Sequence, residues 1–219
     1  MDHAKISAYI FDLDGTLLDS EVLWVEATLK TLRDHDAELS HADVLQMVYG
    51  KSWHDVFQAI NDRFPDINKS LKELEADMRR HFTAMRDSRD VCIAGSIKLL
   101  KQLAENYPVC IVSGSPREDL DAAVDLMQVG DYLRFTLAAE DYAPGKPAPA
   151  GFLKAAEMLS VKPAQCVVFE DSAAGVAAAR AAGMYCVALA RPDAPPQDVA
   201  KAHLVMGCLE SFTPDMLTR

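Results

Sequence analysis

Basic residues are scarce in this chain: 22 lysines and arginines stand against 33 acidic residues, a formal charge of −11 over 219 residues. A field of that sign repels a phosphate backbone and disfavours generic nucleic-acid binding. It also repels a small anionic substrate, unless a metal ion or a lysine held in one pocket reverses the sign locally. Cysteines are few and odd in number; Cys92, Cys110, Cys166, Cys186 and Cys208 form no C-x-x-C pair. That spacing excludes a disulfide framework and a zinc site, and it fits buried thiols in a reducing compartment. The six histidines are dispersed without ligand spacing. No apolar run approaches the ~18 residues of a membrane span, and no basic stretch leads into an apolar one at the start. Internal repeats and low-complexity tracts are missing too. With 50% hydrophobic and 25% charged residues, the composition rules out a disordered chain and a collagen-like one. The expectation is a soluble, cytoplasmic protein.

What is present is a set of short apolar runs rich in β-branched residues, at positions 8–11, 109–112, 166–169 and 185–189. Continuous hydrophobicity, without alternation, predicts strands buried on both faces, as in a parallel sheet. A weaker strand is predicted at 136–139 and a short one at 204–205. Helical patterns fall between them, at 96–105, 118–126, 150–159 and 173–181. The βαβα alternation predicts an α/β fold: a doubly wound parallel sheet with helices on both sides. One stretch breaks the alternation. From about residue 20 to 89 the pattern is helical throughout (21–33, 41–47, 53–61, 70–86), far longer than an ordinary βα connection. It reads as an inserted helical domain, which divides the chain into core (1–18), insert (19–90) and core again (91–219).

Chemistry-bearing residues gather where the strands should end, and sites in parallel sheets form beyond those carboxyl ends. Asp12-Leu13-Asp14-Gly15-Thr16 follows the first strand. Two carboxylates that close cannot both be anionic in comfort, unless a cation sits between them or one holds a proton. The second strand runs into Ser113-Gly114-Ser115, and the fourth into Glu170-Asp171-Ser172. Between these lies Gly145-Lys146-Pro147, a lysine on a proline-braced loop. Singly, each has an ordinary explanation: Ser113 as a helix N-cap, Glu170-Asp171 facing a helix dipole, Lys146 as a solvated charge. Together they supply carboxylates for a hard cation, a hydroxyl donor and a fixed positive charge at one sheet edge. That combination suits phosphoryl transfer.

These four motifs, in this order and spacing, resemble those of the haloacid dehalogenase superfamily of phosphohydrolases. The branch is the one with a helical cap after the first strand, the β-phosphoglucomutase and phosphoglycolate phosphatase-like group. The resemblance covers essentially the whole chain and implies a Rossmann-like core with an α-helical cap domain. It further implies that Asp12 is the nucleophile, forming an aspartyl-phosphate, and Asp14 the general acid and base. Ser113 would hydrogen-bond a phosphoryl oxygen, aided by Gly114, and Lys146 would neutralise charge on Asp12 and the phosphoryl group. Mg²⁺ would be held by Asp12, the Asp14 backbone carbonyl and Asp171, with Glu170 touching the metal or standing behind it.

Within the insert, Glu21, Trp24, Gly50, Lys51 and Trp53 are the candidates for meeting the rest of the substrate. Trp24 and Trp53 stand where mutase relatives carry a histidine and an arginine, and each has a plain alternative as packing inside the insert. Ala150 replaces a common aspartate, at a position expected to cap the next helix. The favoured function is a Mg²⁺-dependent phosphatase of a small phosphorylated metabolite such as a sugar phosphate, working as a monomer. A phosphosugar mutase is the alternative, weakened by the absent histidine and arginine. A C–halogen hydrolase would leave Asp14 without a task. A phospho-accepting receiver module would lack the helical insert. Arg117 is expected on the surface, and Arg79-Arg80 on a solvated helix face.

Overall fold

The computed structural model describes residues 6–48, 53–192 and 194–218. Six parallel strands form one sheet: β1 (Ala8–Phe11), β2 (Val109–Val112), β3 (Thr136–Leu137), β4 (Cys166–Glu170), β5 (Tyr185–Leu189) and β6 (Leu204–Met206). Their order is β3-β2-β1-β4-β5-β6, which places the first strand in the middle. All residues of β1, β2 and β4 are buried, as their unbroken apolar runs require. Strand β3 stops two residues earlier than its sequence suggests. Residues Ala139–Asp141 turn into a 3-10 helix, because the Asp141 carboxylate reaches back to accept the Ala138 N–H at 2.8 Å.

Side chains alternate across the sheet. Ala8 and Ile10 join Cys110, Val112, Cys166 and Val168 in a core shared with Phe152, Ala155, Val176 and Ala179. Tyr9 and Phe11 contact the opposite aromatic layer, with Phe169 stacked on both rings and Phe212 edge-on to Tyr9. Truncating a fully buried Ile10 to alanine in such a core costs about 2–5 kcal/mol. Four helices accompany the sheet: Ala94–Ala104, Arg117–Met127, Ala150–Met158 and Ala173–Ala181. The third begins at Ala150 itself, with Pro149 as its N-cap, so Ala150 is the first helical residue and caps nothing. The buried thiols of Cys166 and Cys186 are pushed up to about 11 and about 12 by desolvation, and Cys110 further still, so these cysteines behave as small apolar residues.

The chain divides into two compact units, one comprising residues up to Leu18 and from Cys92 onward, the other Asp19–Val91. The second unit is helical: α1 (Ser20–Asp34), α2 (His41–Val48), α3 (Trp53–Arg63) and α4 (Leu71–Arg86). In chain order the four core helices given above are α5 to α8. Helix α4 starts with a reciprocal cap, in which Ser70 accepts the Glu73 N–H and Glu73 accepts the Ser70 N–H. Val25, Leu32, Val44, Ile60, Leu74 and Met78 make this unit's own core. Arg80 is solvated, as expected, and lies between Asp34 and Asp77, while Arg79 is partly covered and pairs with Glu75. Among the described residues, no helix is long and apolar enough to cross a membrane.

Candidate active site

Register brings the site together. Phe11 lies opposite Ile111 on one side and Phe169 on the other, so Asp12 emerges level with Glu170 at the carboxyl edge, and Ser113 follows one residue beyond its level on the other neighbour. The Asp12 N–H bonds the Phe169 carbonyl at 2.9 Å, and the Ser113 N–H bonds the Leu137 carbonyl at 2.9 Å. Backbone pairing thus continues one residue past the strands and fixes where both side chains start.

Lys146 reaches into this edge and donates to Asp12 Oδ1 and, at 2.6 Å, to Glu170 Oε1. Its side chain is 15% exposed, which disposes of the solvated-charge alternative. Glu170 is fully buried, and its second oxygen, Oε2, accepts from the backbone N–H of Asp171 at 2.9 Å, that of Ser172 at 2.8 Å, and the Ser172 hydroxyl at 2.9 Å. Both oxygens of Glu170 are therefore engaged by protein donors. Burial pushes Asp12 up to about 8, against the pull of Lys146 and with help from Glu170 and Asp14. Burial opposes the Lys146 charge, yet Asp12 and Glu170 outweigh it and hold that ammonium above its ordinary value. Two buried carboxylates share one ammonium, so ionising both leaves one negative charge in excess, which is what burial and Glu170 resist at Asp12.

A divalent cation fits that excess. Asp12, Glu170 and Asp171 each offer a carboxylate oxygen, all within 4.8 Å of one another. The donors are hard oxygens, the chemistry that suits magnesium. Gly15 completes the cradle: with φ at +82° it takes the left-handed turn, and a Cβ there would land on the Asp171 carboxylate. Thr16 donates to Asp171 Oδ1 at 3.4 Å.

The Asp14 carboxylate belongs to a second cluster. Its Oδ2 accepts from Ser115 Oγ at 2.6 Å and lies 3.3 Å from Ser113 Oγ. Ser113 is not a helix cap, since α6 begins at Arg117 with Pro116 before it. Gly114 is exposed, with open space where a Cβ would stand. Arg117 stands in the first turn of α6 with its side chain 36% exposed, as expected, and from there pairs with Asp141 and Asp121 and donates to Thr136 Oγ1 at 2.6 Å. Those bonds brace the start of the loop that carries Lys146. Tyr142, in the same loop, donates its hydroxyl to the Ser113 carbonyl at 2.8 Å. Thr16, Ser115, Ser172 and Tyr142 had no assigned task in the sequence; hydroxyls next to strand-end carboxylates were the available signal.

In the helical unit, Glu21 lies in the first turn of α1. Trp24 stacks on Phe82 with ring centroids 3.9 Å apart, and the Arg79 guanidinium lies 5.8 Å from its ring. One face of that indole is thus covered from within the unit. Gly50 and Lys51 lie outside the described residues, as does the side chain of Trp53.

Fold and site together define a doubly wound α/β protein with an acidic centre at a sheet edge. The family model described as "Hydrolase: haloacid dehalogenase-like hydrolase" matches residues 6–183, and the chain belongs to that family. It is 32% identical over 182 residues to validoxylamine A 7′-phosphate phosphatase of Streptomyces hygroscopicus subsp. limoneus, across 82% of this chain and 84% of that protein. It is 31% identical over 213 residues to hexitol phosphatase A of Escherichia coli (strain K12), across 95% of this chain and 94% of that one. The solved HAD hydrolase, family IA, variant 3 of Entamoeba histolytica shares the fold, with a TM-score of 0.82 at 21% identity and 97% of each chain covered.

Proposed function

We propose that this chain is a Mg²⁺-dependent phosphomonoesterase acting on a small phosphorylated polyol or sugar through a phosphorylated Asp12. One observation carries the reading: a buried carboxylate, Asp12, is held by a largely covered lysine within reach of two further carboxylates, with a hydroxyl-bound Asp14 nearby. Relatives named for phosphatase activity on a validoxylamine phosphate and on hexitols support the substrate class.

In this mechanism an Asp12 oxygen attacks phosphorus while the P–O bond to the alcohol breaks. The departing oxygen takes its proton from Asp14. Asp14, now a carboxylate, removes a proton from water, whose oxygen attacks phosphorus and frees Asp12 and inorganic phosphate. Lys146 steadies charge on Asp12 and on the phosphoryl oxygens, and Ser113 and Gly114 donate to those oxygens. Asp12, Asp171 and the Asp14 carbonyl would hold the cation. Glu170 acts from behind, by positioning Lys146 and the Asp171 backbone. When bound, Mg²⁺ supplies neutralisation of the phosphoryl charge and orientation for in-line transfer. Recognition of the alcohol is assigned to the helical unit 19–91, with Glu21, Trp24, Gly50, Lys51 and Trp53 as the residues to test.

The test is phosphate release with Mg²⁺ from a panel of hexitol phosphates, hexose phosphates, phosphoglycolate, phosphogluconate and nucleoside monophosphates. Preference for polyol and sugar phosphates is expected. Conversion of a hexose 1-phosphate to its 6-phosphate, with little free phosphate, would overturn the phosphatase reading in favour of a mutase.

A further inference from the structure

Two serines approach the same oxygen of Asp14, and they do not approach it equally. Ser115 Oγ lies 2.6 Å from Asp14 Oδ2, inside the ordinary range for an O–H···O bond, whereas Ser113 Oγ lies 3.3 Å away, beyond it. Each hydroxyl has one proton to give. Ser113 is further fixed as an acceptor, since the Ser115 N–H donates to its Oγ at 2.9 Å. Both backbones are pinned from the neighbouring segment. The Ser113 N–H bonds the Leu137 carbonyl at 2.9 Å, and the Ser115 carbonyl accepts the Ala139 N–H at 3.0 Å. The Tyr142 hydroxyl closes the frame on the Ser113 carbonyl.

We infer that Ser115 is a positioning residue for Asp14, and that the two hydroxyls divide their work. Ser115 commits its proton to Asp14 Oδ2 and so fixes the rotation of the carboxyl group. With Oδ2 accepting, Oδ1 is the oxygen that carries the proton passed to the leaving alcohol and later takes one from water. Ser113, whose proton is only weakly engaged at 3.3 Å, keeps it for a phosphoryl oxygen. Ser115 touches neither substrate nor metal in this scheme; it acts through Asp14. The inference rests on Asp14 being the general acid and base, so the test must separate the two claims.

A graded series of p-nitrophenyl phosphate, phenyl phosphate and glucose 6-phosphate does so, because a poor leaving group needs its proton most. Ser115→Ala is expected to lower kcat on glucose 6-phosphate by about 10- to 100-fold and on p-nitrophenyl phosphate by about 3-fold or less. KM should stay within about twofold on both, since substrate binding is untouched. Ser115→Thr, which keeps the hydroxyl, should recover most of the loss on glucose 6-phosphate. Asp14→Asn runs alongside as the reference. If Asp14→Asn is steeply selective against the poor leaving group and Ser115→Ala loses the same factor on every ester, or nothing, the role of Ser115 is overturned alone. A threonine variant as impaired as the alanine one also overturns it. If Asp14→Asn is itself flat across the series, the acid–base reading falls and the inference falls with it.

Discussion

The carboxylate of Glu170 stands in the space that a Cβ on Gly175 would need. Gly175 lies in the first turn of α8, where its N–H also bonds the Ser172 hydroxyl at 3.0 Å. Replacing glycine by alanine inside a helix ordinarily gains about 1 kcal/mol. Here the methyl group must displace a buried acid that four donors hold, an overpacking cost of about 1–3 kcal/mol. Gly175→Ala is therefore expected to destabilise the protein in urea titrations, and to reduce phosphate release by freeing Lys146 from Glu170.

Opposite stability effects are expected at the two ends of the Lys146–Asp12 contact. Asp12→Asn removes the proposed nucleophile and should lower turnover by at least about 10³-fold. It also removes a buried carboxyl whose ionised form burial disfavours, so the melting temperature of the metal-free protein should hold or rise. Lys146→Ala leaves Asp12 and Glu170 buried without their ammonium, a loss of about 3–5 kcal/mol for a broken buried pair. Calorimetry of both variants checks the contrast.

Chelation should abolish phosphate release and Mg²⁺ should restore it, while Ca²⁺ should not. Calcium accepts longer bonds and more ligands, which loosens the alignment that in-line transfer demands. Full activity after exhaustive chelation would contradict the role given to Asp12 and Asp171.

Acid sensitivity should trace in part to Asp141. The Ala138 N–H and, after it, Arg117 hold this carboxyl below its ordinary value. Its contribution to stability is complete above the unfolded carboxylate range near pH 4 and drains away as pH falls through the lower folded value. Asp141→Asn should lower the melting temperature at neutral pH and flatten its decline between about pH 5 and about pH 3.

The strands were legible because burial on both faces leaves a local mark: Ala8–Phe11 is apolar at every position, and no neighbour is needed to see it. The strand-end carboxylates and Lys146 were legible as residue types in a familiar order. What the sequence hid was partnership. Ser115 and Asp14 are 101 residues apart, and Thr16 and Asp171 are 155 apart, so only the folded register reveals which hydroxyl meets which acid. The partner of Arg117 was hidden for the same reason, since Asp141 arrives by a turn that cuts β3 short. Trp24 was open between a substrate platform and packing; its stack on Phe82 depends on α1 and α4 lying together, which helical periodicity alone does not specify.

The central place of β1 has a consequence for synthesis. The strand that leads to Asp12 is made first, yet its two flanking partners are β2, beginning at Val109, and β4, beginning at Cys166. A growing chain therefore carries an apolar strand with both edges open until β2 has left the ribosome, at about half of the 219 residues, and with one edge open until β4 follows. Such non-local pairing closes large loops and slows folding. It also keeps the chemistry waiting: Lys146 follows β3 and Glu170 arrives only with β4, so a truncated or stalled chain holds Asp12 without the partners it has in the folded site.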